Sequence, residues 1–548
     1  MENKIKFRRF GTMIDCSRNA VMNVTSVKKW IDITSDLGYN SLLLYTEDTY
    51  EVDNQPYFGY MRGRYSKNEL KELDAYAKSK GIELIPCIQT LAHIYSLKRW
   101  RPYTPLFDID DVLLIGDEKV YELIEDMFKT VSECFTSRII NVGMDEADNM
   151  CRGKYYDVNG NCDRAEAFIK HVNRVAEIGK KYGFTITIWS DMLYRLVTGK
   201  GYREISTDNY DDTYKNQMPD NVELVYWNYH YKEKEHYDAM FKTHLEFCDK
   251  VWFAGVLYGG HFGFGAHNTF TMQVTEAGLE SCIDCGVEDV ILTMWGDDGA
   301  EGSKFALLPS LFYASEIAKG NTDKENIKQK FKEKYGIDFD AFLAVDILEK
   351  PEDPGVRNPE KYLLYNDLFL GLLDTTLEGT ENEEFAECVK KLEVLKDDKN
   401  WGYIFSNLYN LCDAMTIKAD LGQRTRKIYN SRDMEQLDGL IDDYTKFLEK
   451  LNLFYYSFRK QWYIENKPNG FEIQDIRIGG LIKRTENCRD WLIAFRNGEI
   501  SVIDELEEKQ LDPYGYGENF VVKGRLAFNR WDANVSVNGL AVELYRKY

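Results

Sequence analysis

The chain has 548 residues, 44% of them hydrophobic, enough to bury a large core and to divide into more than one domain. Its formal net charge of −22 argues against polyanionic partners, because binding phosphates needs clustered Lys and Arg; nucleic acid and anionic membranes are not expected partners. The 11 cysteines, an odd number scattered without a framework, read as reduced thiols and a cytoplasmic protein.

The chain opens with "MENKIKFRRFG", which is charged and enters a strand pattern without an apolar stretch of signal-peptide length. Eight short apolar runs then follow, each leading through a loop to an amphipathic segment: "FGTMIDCS", "SLLLYTED", "IELIPCIQT", "IINVGMDE", "ITIWSDM", "VELVYWNY", "VWFAGVLYG" and "VILTMWGDD". Between the first pair, Val27, Trp30, Ile31 and Thr34 share one helical face that stops at Gly38. Between the second, Ser66 and Glu69 form a capping box, with Leu70, Leu73 and Ala77 inward and Gly81 as the stop.

Eight strands alternating with helices predict an α/β fold, a (β/α)8 TIM barrel, over residues 1–320, ending after "SKFALLPSLFYASEIAKG". From residue 321 the pattern changes to long amphipathic helices such as "DMEQLDGLIDDYTKFLEKLNLFYYSFRKQWYI". This predicts a mainly helical C-terminal domain over 321–548, packed on the barrel or forming a subunit contact, which makes a homodimer one expectation. Its last stretch, "FVVKGRLAFNRWDANVSVNG", looks like short strands. No run approaches a transmembrane span. Cys282 and Cys285 form the one tight cysteine pair, but no second pair or His cluster accompanies it, so no metal and no cofactor are expected.

Barrels of this class place their chemistry at the carboxyl ends of the strands. Those ends carry Asp15, Glu47 with Asp48, Gln89 with His93, Asp145 with Glu146, Trp189 with Asp191, Trp227 with Tyr229, Tyr258, and Trp295 with Asp297. Each alone has a structural reading, as a turn cap or a core side chain. Together they describe a pocket with flat apolar walls and hydrogen-bonding rims, the surroundings a pyranose ring requires.

Asp145 and Glu146 pose a geometric problem, because neighbours on a regular strand point to opposite faces. Most glycosidases hold an acid and a nucleophile or base about 5 to 9 Å apart on opposite sides of the scissile bond. If the strand breaks at Asp145, both carboxylates lean into the pocket from one side. One can then protonate the leaving oxygen, and the nucleophile must come from elsewhere.

The stretch Gly143-Met144-Asp145-Glu146 resembles the "GxDE" pattern of glycoside hydrolase family 20, the β-N-acetylhexosaminidases, and the likeness runs along the barrel. It implies exo-acting release of terminal β-GlcNAc or β-GalNAc from small glycans, with retention, the substrate's own 2-acetamido oxygen acting as nucleophile. In the resemblance, Glu146 is the general acid and base, and Asp145 accepts the acetamide N–H. Arg9, in "FRRFGTMIDCSRNAV", binds sugar hydroxyls, with Arg8 as its alternative; His93, in "PCIQTLAH", approaches the acid with Asp48 as partner. Trp189 and Trp227 wall the acetamido group, Trp295 is the floor, Asp297 accepts a 4- or 6-hydroxyl, and either Tyr229 or Tyr258 donates to the acetamido oxygen.

The chain departs from the family pattern in three places: "ADNMCRGKYY" after Glu146, "AGVLYGGHFGFGAHN" at the seventh strand, and Asp in place of Glu at position 297. Competing readings are a conventional retaining glycosidase pairing Glu146 with Asp191 or Asp297, and a non-catalytic sugar-binding barrel. The hexosamine preference and the natural glycan are not determined by these residues.

Overall fold

A computed structural model describes residues 4–208, 210, 213–260, 263–297, 299–347 and 360–511. The strand-like stretch expected over residues 520–539 lies outside them.

Ten strands occur among the described residues: β1 (Arg9–Asp15), β2 (Ser41–Tyr45), β3 (Glu83–Cys87), β4 (Phe107–Ile109), β5 (Val112–Leu113), β6 (Ile139–Asn141), β7 (Thr185–Trp189), β8 (Val222–Trp227), β9 (Val251–Val256) and β10 (Asp289–Met294). Eight form a closed barrel in the order β1-β10-β9-β8-β7-β6-β3-β2, with every pair parallel. The eight expected runs are these eight strands, so the chain is a TIM barrel. The hairpin β4-β5, inserted after β3, is an addition that the repeat pattern did not contain.

Strand alternation sorts the apolar residues into two cores. Met13, Leu43, Ile85, Val225, Ala254 and Ile291 fill the barrel, while Phe10, Ile14, Leu42, Leu44 and Leu224 meet the helices outside. The outward face of β1 also carries Thr12, whose hydroxyl accepts the Trp30 indole N–H (3.0 Å) from helix Val24–Leu37. That helix buries Val27, Trp30, Ile31 and Thr34 and ends at Gly38 with φ +93, as its sequence dictates. In helix Lys67–Ser79 the Ser66–Glu69 capping box closes both ways.

The helical region follows helix Leu308–Ala318. Its longest member, Met434–Glu465, buries Leu437, Leu440, Tyr444, Phe447, Leu451, Phe454, Phe458 and Trp462, a stripe at three- and four-residue steps. The stripe packs against helices Gly402–Lys418 and Phe471–Arg496, and reaches the barrel through Phe264, whose ring lies 5.2 Å from Phe454 and 5.3 Å from Phe458. The turn after this helix meets the loops that follow β1 and β2: Lys467 N–H donates to Val21 O (2.7 Å), and Asn469 donates to Met61 O (3.2 Å). The helical region therefore caps one sector of the barrel's carboxyl-end rim. Among the described residues no helix is long and apolar enough to cross a membrane.

Arg9 closes the opposite end. It is the first residue of β1, and its guanidinium pairs with Glu83 (2.9 Å) and Asp289 (3.3 Å), the first residues of β3 and β10, while lying over the Trp252 ring. Arg9→Met should lower stability by about 1–2 kcal/mol, between the values for exposed and buried ion pairs, with catalytic constants unchanged; denaturant titration beside steady-state assay checks both.

Candidate active site

The carboxylate pair lies past the end of its strand. β6 stops at Asn141, and Gly143, Met144 and Glu146 then take φ values of +72, +73 and +50. This left-handed stretch removes the alternation that would point Asp145 and Glu146 apart. Gly143 is required twice over: for its φ, and because a Cβ there would meet Gln89 Oε1 at 1.8 Å. His93 Nε2 lies 3.2 Å from Asp145 Oδ2 and 3.5 Å from Glu146 Oε2, so one imidazole from the β3 loop faces both acids. The Asp145 side chain is 12% exposed and that of Glu146 36%, leaving Glu146 as the acid open to an incoming group.

Gln89 organises the turn. Its Oε1 accepts the Met144 N–H (3.2 Å), while its Nε2 donates to Asp145 Oδ1 (2.7 Å) and to the Tyr45 hydroxyl (2.9 Å). Tyr45 donates in turn to Glu47 Oε1 (3.0 Å). Glu47 and His93 are also left-handed, at φ +45 and +60. Non-glycine residues in this region cost about 1–3 kcal/mol each and persist only where neighbours over-determine them.

Burial by itself would raise the Asp145 carboxyl; the charge of His93, its hydrogen bond and that of Gln89 more than offset this and hold it below the ordinary value. Asp191 goes the other way, to about 7, through burial and then the Asp145 charge. Its carboxylate accepts the Glu146 N–H (2.9 Å) and the Trp227 indole N–H (3.4 Å), fixing the loop that carries the acid. Glu47, raised to about 7 mainly by burial, lies 3.7 Å from Arg18.

Arg18 is buried among three carboxylates, Asp297 at 3.5 Å and Asp15 and Glu47 at 3.7 Å. Burial would lower its pKa, but these charges raise it well above the ordinary value. Asp15 also accepts the Ser17 N–H (2.8 Å) and the Gly296 N–H (2.9 Å), tying the ends of β1 and β10 together.

Aromatic rings line the rest. Trp189 and Trp295 lie 5.9 Å apart, Tyr45 meets Trp295 edge-on at 4.8 Å, and Trp227 stacks on Tyr229 at 5.2 Å. The Tyr229 hydroxyl accepts the Trp295 indole N–H (2.9 Å) and also meets the Thr293 side chain. Tyr258 instead donates its proton to the Tyr229 carbonyl (3.3 Å). Trp189 Nε1 and Glu47 Oε2 are buried and make no hydrogen bond among the described residues.

Of the residues singled out in the sequence, Asp145, Glu146, His93, Trp189, Trp227, Tyr229, Tyr258, Trp295 and Asp297 meet at the carboxyl end of the barrel. Arg9 and Arg8 do not. Both sit at the amino end, with Arg8 paired to Asp289 and Glu288, and the cation in the pocket is Arg18. The sequence signal for it was its position just after the first strand, where barrel chemistry resides, whereas Arg8 and Arg9 come at its start. Asp48 also differs from expectation: it is held by Arg62 (3.0 Å), while His93 turns to the acids.

The unusual stretch after Glu146 is pinned by partners of its own. Asp148 pairs with Arg195 (2.8 Å), Asn149 donates to Asp110 (2.8 Å), and the Asp108 carboxylate accepts the N–H groups of Cys151 (2.7 Å) and Tyr155 (2.6 Å). Asp108 belongs to the β4-β5 hairpin and Asp110 to its turn, so the departure at 147–156 and the inserted hairpin form one unit. Among the described residues no group of three or more His, Cys, Asp or Glu could hold a metal ion.

Residues 6–243 match the glycosyl hydrolase family 20 catalytic domain, and residues 339–521 match the glycoside hydrolase 20C C-terminal domain. Over 208 residues the chain is 26% identical to hexosaminidase D of Bos taurus, covering 35% of this chain and 55% of that one. Over 167 residues it is 27% identical to a beta-hexosaminidase of Emericella nidulans, covering 26% and 28%. It thus spans about a quarter to a half of the length of these relatives. A solved β-N-acetylhexosaminidase from Bacteroides fragilis aligns over 61% of this chain and 71% of its own, at 19% identity and a TM-score of 0.46. With the first six barrel strands and most of the helical region matched by models from the same family, the chain belongs to glycoside hydrolase family 20.

Proposed function

We propose that this protein is an exo-acting β-N-acetylhexosaminidase that releases terminal GlcNAc or GalNAc from small glycans, using the substrate's own acetamido oxygen as nucleophile. The observation that carries the reading is that Asp145 and Glu146 approach from one side around a single imidazole, while the nearby carboxylates have other work. Asp191 accepts the Glu146 N–H and the Trp227 indole N–H, and Asp297 faces Arg18. The eleven free cysteines suit a reducing compartment, and cytoplasmic action belongs to this reading.

In the first step Glu146 protonates the departing oxygen while Asp145 accepts the acetamide N–H and offsets the positive charge growing on the ring being formed. Tyr229 donates to the acetamido oxygen, aiming it at the anomeric carbon. The indoles of Trp189, Trp227 and Trp295 confine the acetamido group, replacing an encounter with a positioned attack. Water then opens the ring with Glu146 as base, giving retention. Arg18 and Asp297 contact hydroxyls at the far side of the sugar. A ligand acceptor at Trp189 Nε1 would recover about 1–3 kcal/mol now forgone by an unpaired buried donor.

With activated aryl substrates Glu146→Gln should lose little in the first step, while substrates with poor leaving groups lose about 10²-fold or more. Asp145→Asn should slow both kinds; a variant that leaves both rates intact would sink the assignment. Arg18→Met should raise KM by about 10-fold or more, whereas Arg9→Met should not. Because Asp145 must be ionised, kcat/KM should hold until the pH falls through its depressed pKa. Gln89→Leu removes a hydrogen bond that lowers that pKa, so the acid limb of the pH profile should move to higher pH. A substrate bearing a trifluoroacetamido group should be turned over far more slowly, and equal turnover would point to an enzyme nucleophile instead.

A further inference from the structure

The loop from Trp295 to Lys304 carries Asp297, and its backbone is unusual. Gly299 has φ +118, and Ala300, a buried non-glycine residue, has φ +55. A left-handed alanine costs about 1–3 kcal/mol and needs neighbours that enforce it. On the barrel side these are Asp15, which accepts the Gly296 N–H (2.9 Å), and the buried Lys304, whose ammonium donates to the carbonyls of Met294 (3.0 Å) and Trp295 (3.2 Å).

On the other side they come from the helical region. Glu301, next to the strained alanine, is buried against Lys361 of helix Glu360–Tyr365, Arg477 (3.0 Å) and Gln474 (2.8 Å) of helix Phe471–Arg496. Its own carbonyl accepts from Gln461 (3.3 Å) of helix Met434–Glu465, and two residues on, Ser303 donates to Glu465. Three helices of this region therefore converge on residues 301–303. Charges buried this deeply are seldom more stabilising than apolar packing of equal volume, but they fix one geometry. Here the geometry fixed is that of the turn between Asp297 and the helices.

We infer that the C-terminal helical region is a working part of the sugar subsite: Lys361, Arg477 and Gln474 are positioning residues that act through Glu301 to set Asp297 opposite Arg18. The inference rests on the reading of Asp297 as the acceptor of a sugar hydroxyl. It gives the helical region a role in choosing between hexosamines, which differ at the 4-hydroxyl.

The test uses full-length protein with Lys361→Met, Arg477→Met and Gln474→Leu, assayed on aryl β-GlcNAc and β-GalNAc, with melting temperature measured for each. Expected is a KM rise of about 5-fold or more, a change of about 3-fold or more in the GlcNAc/GalNAc ratio of kcat/KM, and kcat within about 3-fold of wild type. Lys361→Arg should restore part of the loss. Arg484→Met serves as control, since it breaks the Arg484–Asp367 pair (2.7 Å) inside the helical region away from the loop; it should lower the melting temperature without moving KM or the ratio. Gln474→Leu alters no charge and keeps the test available if the charge variants do not fold. Combined with Asp297→Asn, it should cost no more than Asp297→Asn alone, because both act on one contact. Folded variants with wild-type KM and ratio, or additive losses in the double variant, would overturn the inference while leaving the function intact. A wild-type chain inactive on both glycosides would overturn the functional reading, and the inference with it.

Discussion

The site depends on one local event, the left-handed turn at Gly143 and Met144. A β-strand can offer only one of two neighbouring side chains to a barrel's mouth, and this turn lets it offer both. Its cost is offset by Gln89, which meets the turn at two points, the Met144 N–H and the Asp145 carboxylate, and is anchored to β2 through the Tyr45 hydroxyl. The same contact explains the glycine, because any side chain at 143 would occupy the space of the Gln89 amide.

Charge is distributed around this turn so that the two acids differ. Asp145 sits against His93 and Gln89 and stays ionised, whereas Glu146 stands at the opening with its backbone tethered to Asp191. Asp191, raised by burial and then by the Asp145 charge, and Glu47, raised mainly by burial, are both pushed to about 7. The pocket thus keeps its negative charge where a cationic ring would form and limits it elsewhere. The cation that balances the far side is Arg18, which binds Asp297 at the mouth and Glu47 beneath.

Around that pocket the rim is built from insertions and from the helical region. The β4-β5 hairpin fixes the chain after Glu146 through Asp108 and Asp110, and the helices fix the chain after Trp295 through Glu301. Both are long-range contacts between segments that carry no recognisable motif, and both hold loops bearing site residues.

The eight strands, their helices and the stripe of helix Met434–Glu465 were legible in the sequence, because periodicity and capping are local properties set by backbone geometry. So was the gathering of acids and aromatic rings at one end, since strand ends in a barrel must converge. The resemblance points to Arg8 or Arg9 through a motif's spacing, which carries no strand direction; only the register of β1 against β10, with the ion pairs across it, shows that Arg9 faces Glu83 and Asp289 at the amino end. The partner of His93 was likewise a tertiary matter, because three acids lie near in sequence-derived order and only packing turns the ring from Asp48, held by Arg62, to Asp145 and Glu146. Sequence by itself determined which acids and aromatic rings close the barrel strands; which arginine joins them, and how the side chains pair there, was decided by loop conformation and long-range ion contacts, which no local pattern encodes.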